Sequence, residues 1–231
     1  MAHAAEIRVL SSNAIKEAYL DLVPQFEQAS GHKVATTWAP TVEIMKRMAA
    51  GETYDLVIMA AEGVEKLTQD GKLVAGSRVD LVKSGIGIAV RQGAQKPDVS
   101  SSEAVKKALL AAKSIGYSTG PSGVYLVKLF ERMGIADAIK HKVKVSTPGV
   151  PVGTFVASGE VEIGLQQVSE LLPVKGIDFL GPLPADIQHT TTFAGALHSG
   201  ATQSEAAKAL VKLLTAPAAV PVITAKGLEP G

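Results

Sequence analysis

Strand-like and helix-like segments alternate through the first 75 residues, and this alternation constrains the fold more than any other feature. Residues 6–10 alternate apolar and polar and are β-prone. Ser11-Ser12-Asn13 then supplies N-cap chemistry, and Ile15, Ala18, Tyr19, Leu22, Val23 and Phe26 follow at helical spacing up to Gly31, a fitting C-cap. Residues 33–38 read as a second strand. Ala39-Pro40-Thr41 is a turn, and Ile44, Met45 and Met48 mark a short helix. Residues 55–60 are continuously apolar after Asp55, as in a strand buried on both faces of a parallel sheet. A helix over 62–70, closed by Gly71, comes next. This β-α-β-α-β-α order predicts a parallel sheet with helices on both faces. Ligands in such sheets bind beyond the carboxyl ends of the strands, and the loops at that end contain Ser11, Ser12, Asn13, Thr41 and Glu62.

A second α/β segment follows. Residues 81–90 read as one long strand that carries the chain into it. Gly85 and Gly87 lie inside that strand without a third glycine, which argues against a dinucleotide fingerprint. A helix is expected over 103–112. Tyr117-Ser118-Thr119-Gly120-Pro121-Ser122-Gly123-Val124-Tyr125 then reads as strand, loop and helix N-terminus. Such a loop leaves backbone N–H groups unpaired at the positive end of a helix dipole, a ready place for an anion. The opening at Pro151-Val152-Gly153-Thr154 repeats the design. Residues 161–166 form a strand ending in Gln166-Gln167, and 169–172 a helical turn. The strand over 190–197 belongs back in the first lobe, with helices after Ser204 and from Pro217. The fold expected is α/β, two interleaved lobes with a ligand cleft and hinge: 1–84 with 188–231, and 85–187 between them.

Composition narrows the function. Apolar residues make up 46% and charged residues 19%, so a sizeable core is expected. A net charge of +1 and 4% aromatics give no footprint for nucleic acid. No apolar run reaches the length of a membrane span. With no cysteine, thiolate metal sites and cysteine nucleophiles are excluded, and the five histidines show no metal-ligand spacing. No metal or cofactor is expected. Ala2-His3-Ala4 has the form of a signal cleavage site, which points to a trimmed periplasmic chain. Ser118, Thr119 and Ser122 form the densest hydroxyl cluster, Tyr125 either enters the site or packs in the core, and one of Gln166 and Gln167 faces the cleft. If the chain is an enzyme, the acid/base candidates are Glu62, His189 and Tyr125. No lysine or arginine falls cleanly in a ligand-end loop, so neutral donors are expected to hold a small anion.

These segments resemble the type II periplasmic solute-binding proteins, and within them the molybdate-binding group, which also includes aconitate isomerase. The resemblance covers nearly the whole chain. It rests on Ile7-Arg8-Val9-Leu10-Ser11-Ser12, Tyr54-Asp55-Leu56-Val57-Ile58, Pro121-Ser122-Gly123-Val124-Tyr125, Gly159-Glu160-Val161-Glu162-Ile163-Gly164 and Gly227-Leu228-Glu229-Pro230. It implies that Ser12, Thr41, Ser122 or Gly123, and the amides of Val152 and Gly153 hold an oxyanion. Gln166-Gln167 depart from the hydroxyl usual after that strand, and glutamine amides suit a carboxylate better than a compact tetrahedral anion. The expected role is capture of an organic carboxylate by a monomer serving the membrane subunits of an ABC transporter. The alternative is a cofactor-independent aconitate isomerase on the same scaffold.

Overall fold

The computed structural model describes residues 4–231. Apart from Ala4, the suggested cleavage tripeptide lies outside the described residues. The chain forms two compact units, one of residues up to Lys83 with Thr192–Gly231, the other of Ser84–Thr191.

In the first unit β1 (Glu6–Ser11), α1 (Lys16–Ser30), β2 (Lys33–Trp38), α2 (Thr41–Ala49), β3 (Leu56–Ala60), α3 (Ala61–Gln69) and β4 (Val79–Ser84) follow in order. β4 runs out of this unit. The second unit continues with β5 (Ile86–Arg91), α4 (Ser102–Ala111), β6 (Ile115–Tyr117), α5 (Pro121–Arg132), α6 (Ala136–Ile139), β7 (Val143–Val145), α7 (Val152–Ser158), β8 (Ile163–Gln167), α8 (Val168–Leu171) and β9 (Ile177–Pro182). The chain returns through β10 (Thr191–Leu197), followed by α9 (Ser204–Leu214), α10 (Val220–Ala225) and β11 (Glu229–Pro230).

The first sheet has the order β11-β4-β10-β3-β1-β2. β1 pairs in parallel with β2 and β3, and β10 lies antiparallel on β3. β3 is buried along its whole length because both its faces are covered. Leu56, Ile58 and Ala60 join Ile7, Val9, Tyr19, Phe26 and Leu210 on one side. Val57 and Met59 join Leu10, Ile44, Met48 and Val64 on the other. That is the continuous apolar signature of a strand covered on both sides.

The second sheet has the order β7-β6-β8-β5-β9. β6 is parallel to β7 and β8, and β5 is antiparallel to β8 and β9. On one face Ile86, Ile88, Ile115, Ile163 and Leu165 pack with Val105, Leu109, Leu126 and Phe130. On the other face small residues let α7 sit close: a Cβ on Gly164 would lie 2.4 Å from a Val156 methyl.

The expected single strand over 81–90 is two strands, β4 and β5, broken at Gly85. Gln188 meets the backbone beside the break. Its side-chain oxygen accepts from the Ile86 amide (2.8 Å) and its nitrogen donates to the Ile86 carbonyl (3.0 Å) and the Leu183 carbonyl (3.3 Å). A side chain thus takes bonds that a strand neighbour would otherwise make, and Gln188 stays with the second unit.

Asp55, 2% exposed, is the polar anchor of the first unit. One carboxylate oxygen accepts from the Arg8 amide (2.8 Å) and the other from the amides of Thr202 and Gln203 (2.8 Å each), fastening the approach to α9 onto the start of β3. Asp55→Ala leaves three amides without their acceptor, which is expected to cost about 3 kcal/mol or more. A thermal melt should show unfolding roughly 6–12 °C lower. A shift below about 2 °C would contradict this account of the anchor.

Candidate functional site

In each unit the parallel strands bring helix N-termini to one end of the sheet, and the polar residues collect there. In the first unit β1, β2 and β3 deliver a single 3-10 turn leading into α1, then α2 and α3. Ser11 is wholly buried and its hydroxyl donates to the Ser12 carbonyl (3.3 Å). Ser12, 5% exposed, accepts from the Ala14 amide (3.3 Å), so it caps the turn that begins at Asn13. Thr41 is the first residue of α2, and its hydroxyl oxygen is buried with no hydrogen-bond partner among the described residues. Glu62 stands in the first turn of α3 with an exposed side chain. Beside these loops Lys16 Nζ lies 5.7 Å from the centre of the Trp38 ring, which also meets Tyr19 edge-on.

In the second unit β6, β7 and β8 deliver α5, α7 and α8. Ser118 turns inward and accepts from the Gly120 amide (3.3 Å), and Thr119 follows it in the same half-buried loop. α5 starts at Pro121, a residue suited to the first helical position because it has no N–H to leave unpaired. The first helical bond runs from the Val124 amide to the Gly120 carbonyl (3.1 Å), so the Ser122 and Gly123 amides have no helical acceptor. Ser122 is 1% exposed and its hydroxyl has no partner among the described residues. A buried hydroxyl with nothing to bond is costly, and here it sits at the positive end of a twelve-residue helix. Gly123 permits this geometry: a Cβ there would lie 1.6 Å from the Ser118 carbonyl oxygen.

Some of the other expected contacts are already engaged within the unit. The Val152 amide at the start of α7 donates to the Gln166 side-chain oxygen (2.8 Å), so it is spoken for. Gly153, next in that turn, backs onto Val174. Gln167 is 1% exposed. With its amide oriented to satisfy its neighbours, its nitrogen donates to the Ser84 and Gly85 carbonyls (3.0 and 3.2 Å) and its oxygen accepts from the Thr191 hydroxyl (3.0 Å). Gln167 therefore ties both crossing segments to β8, with the Ser84 and Ser169 hydroxyls 3.4 Å apart beside it. Tyr125 packs rather than presenting a free hydroxyl. It donates to the Ile187 carbonyl (3.0 Å), accepts from Arg132 (2.9 Å) and stacks on His189 with ring centres 4.6 Å apart.

Glu170, in the first turn of α8, was not among the sequence candidates. An acid there reads as a partner for a helix dipole, and only its place four residues after Gln166 hints at more. Burial pushes its carboxyl up to about 7, against the opposing effect of a hydrogen bond with the Gln166 side chain.

The family described as bacterial extracellular solute-binding protein matches this sequence over residues 7–229. The chain belongs to that family. Aconitate isomerase from Pseudomonas sp is 40% identical over 230 residues, spanning 97% of this chain and 87% of that protein. The molybdate-binding protein ModA of Azotobacter vinelandii is 28% identical over 233 residues, spanning 98% and 90%. The solved periplasmic molybdate-binding protein of Azotobacter vinelandii superposes with a TM-score of 0.81 at 18% identity, over 97% of this chain and 99% of that one, which establishes the fold as that of a periplasmic binding protein.

Two substitutions separate a vacant donor from a packing residue. Ser122→Ala removes a hydroxyl that bonds nothing, so the melting temperature should stay level or rise. Gly123→Ala drives a methyl group into the Ser118 carbonyl and should cost about 1–3 kcal/mol. A Ser122→Ala protein that melts several degrees lower would mean the hydroxyl already has a structural partner.

Proposed function

We propose that the chain is a cofactor-independent isomerase that interconverts cis- and trans-aconitate by an allylic proton shift. The observation that carries this reading is the 40% identity to aconitate isomerase across 97% of the chain, against 28% to the molybdate-binding protein. The geometry agrees with it. A carboxylate takes hydrogen bonds from a hydroxyl and adjacent amides, and Ser122 with the unbonded N–H groups at the start of α5 offers that set. Ser12 and Thr41 extend the supply of neutral donors in the first unit. Removing a proton from the methylene spreads negative charge toward the neighbouring carboxylate, and preorganised donors at a helix N-terminus stabilise such charge.

A second reading, extracytoplasmic capture of a small anion for an ABC transporter, draws on the family itself. Val152 bears on the choice of ligand. With its amide held by Gln166, α7 offers one donor fewer to a compact oxyanion, which favours a carboxylate over molybdate. Both readings place the protein outside the cytoplasm, in the periplasm.

Proton NMR with cis-aconitate in deuterated buffer tests the proposal. The trans isomer should appear, with deuterium entering its methylene. Absence of turnover while the ligand still binds would overturn the isomerase reading and leave capture. For the isomerase, Ser122→Ala should weaken substrate affinity about tenfold, the loss of one hydrogen bond to a charged group. Unchanged affinity would remove Ser122 from the site.

A further inference from the structure

We infer that Glu170 is the group that carries the proton in the isomerisation, an inference that rests on the isomerase reading above. Its place in the fold is the first argument. Glu170 lies in the turn that leaves β8, at the end of the sheet where α5 and α7 also begin. Gln166, four residues before it, holds the Val152 amide at the start of α7 (2.8 Å). The residue as a whole is half-buried.

The second argument is the lack of a counter-charge. Buried carboxylates in protein interiors are ordinarily paired with a cation. The elements most closely packed against α8 are β5, β8 and α7. Neither β8 nor α7 carries a titratable side chain, and β5 carries only Arg91. Arg91 is exposed and sits at the opposite end of the sheet: Ile86, not Arg91, is the residue of β5 paired with Gln167. A structural ion pair therefore does not account for Glu170. A carboxyl near half-ionisation at neutral pH suits a group that must both accept and return a proton. It also repels a polyanionic substrate less than a full charge would.

The step balances without a further reagent. The Glu170 carboxylate takes a proton from the substrate methylene, and the released C–H pair forms the new carbon–carbon double bond. The pair of the old double bond moves to its far carbon, which takes the proton back from the Glu170 carboxylic acid. One C–H bond breaks and one forms, with no net change in protons or electrons.

The test is Glu170→Gln in the full chain, with aconitate turnover and trans-aconitate binding measured side by side. We expect kcat to fall at least 100-fold, the scale of a lost general base, with Kd for trans-aconitate changed by less than about threefold. The variant should melt no lower than the parent at pH 8, where it lacks a buried charge that the parent carries. A loss of kcat below about tenfold overturns the assignment while leaving the isomerase reading intact. A parent protein that does not turn over aconitate overturns both. If Glu170→Gln does not fold, the parent's pH profile decides. The carboxylate is the active form, so kcat/KM, which reports the free enzyme, should rise with pH through a midpoint near 7, and a flat kcat/KM between about pH 6 and 8 overturns the inference.

Discussion

Parallel strand pairing is the constraint on which the rest of the structure depends. Two parallel strands cannot be joined by a tight turn, so the chain must cross back along a face of the sheet, here as a helix. Three parallel strands in each sheet therefore place three helix starts at one end. Every such start exposes unbonded N–H groups. The fold produces donors as a by-product of its topology, and each start is then either satisfied by the protein or left for a ligand.

Which donors are satisfied is decided by a few polar side chains. Ser12 caps the turn after β1, and Gln166 holds the Val152 amide. Gln167 and Gln188 satisfy backbone where the chain crosses between units, a place where sheet hydrogen bonding is interrupted. Gln166 and Gln167, which read as ligand residues in the sequence, and Gln188 thus serve the backbone. Among the described residues the Ser122 hydroxyl, beside the unbonded amides at the start of α5, and the Thr41 hydroxyl at the start of α2 have no partner. Neutral donors of this kind hold an anion without the desolvation cost of burying a lysine or arginine beside it.

Much of the architecture is legible in the sequence because hydrophobic period and punctuation agree. The run from Leu56 to Ala60, the spacing of Ile15 to Phe26, and Gly31 as a left-handed C-cap all report local physics, and the structure follows them. The strand, loop and helix start over Tyr117–Tyr125 are legible for the same reason. The break at Gly85 is not, since Gln188, which bonds Ile86 beside it, lies 102 residues from Ile86 in the chain. The engagement of Gln166 and Gln167, the stacking of Tyr125 on His189 and the solitude of Glu170 are likewise tertiary. Residue type says that a glutamine can bond a ligand or a backbone amide. Only the fold says which it has met.

The start of α5 is the proposed seat of a substrate carboxylate. A crystal structure of the protein with trans-aconitate bound tests that most directly. The account predicts a carboxylate oxygen within hydrogen-bond distance of the Ser122 hydroxyl and the Gly123 amide, with no cationic side chain on it. A bound ligand whose carboxylates all lie elsewhere, with the Ser122 hydroxyl still unpartnered, would contradict it.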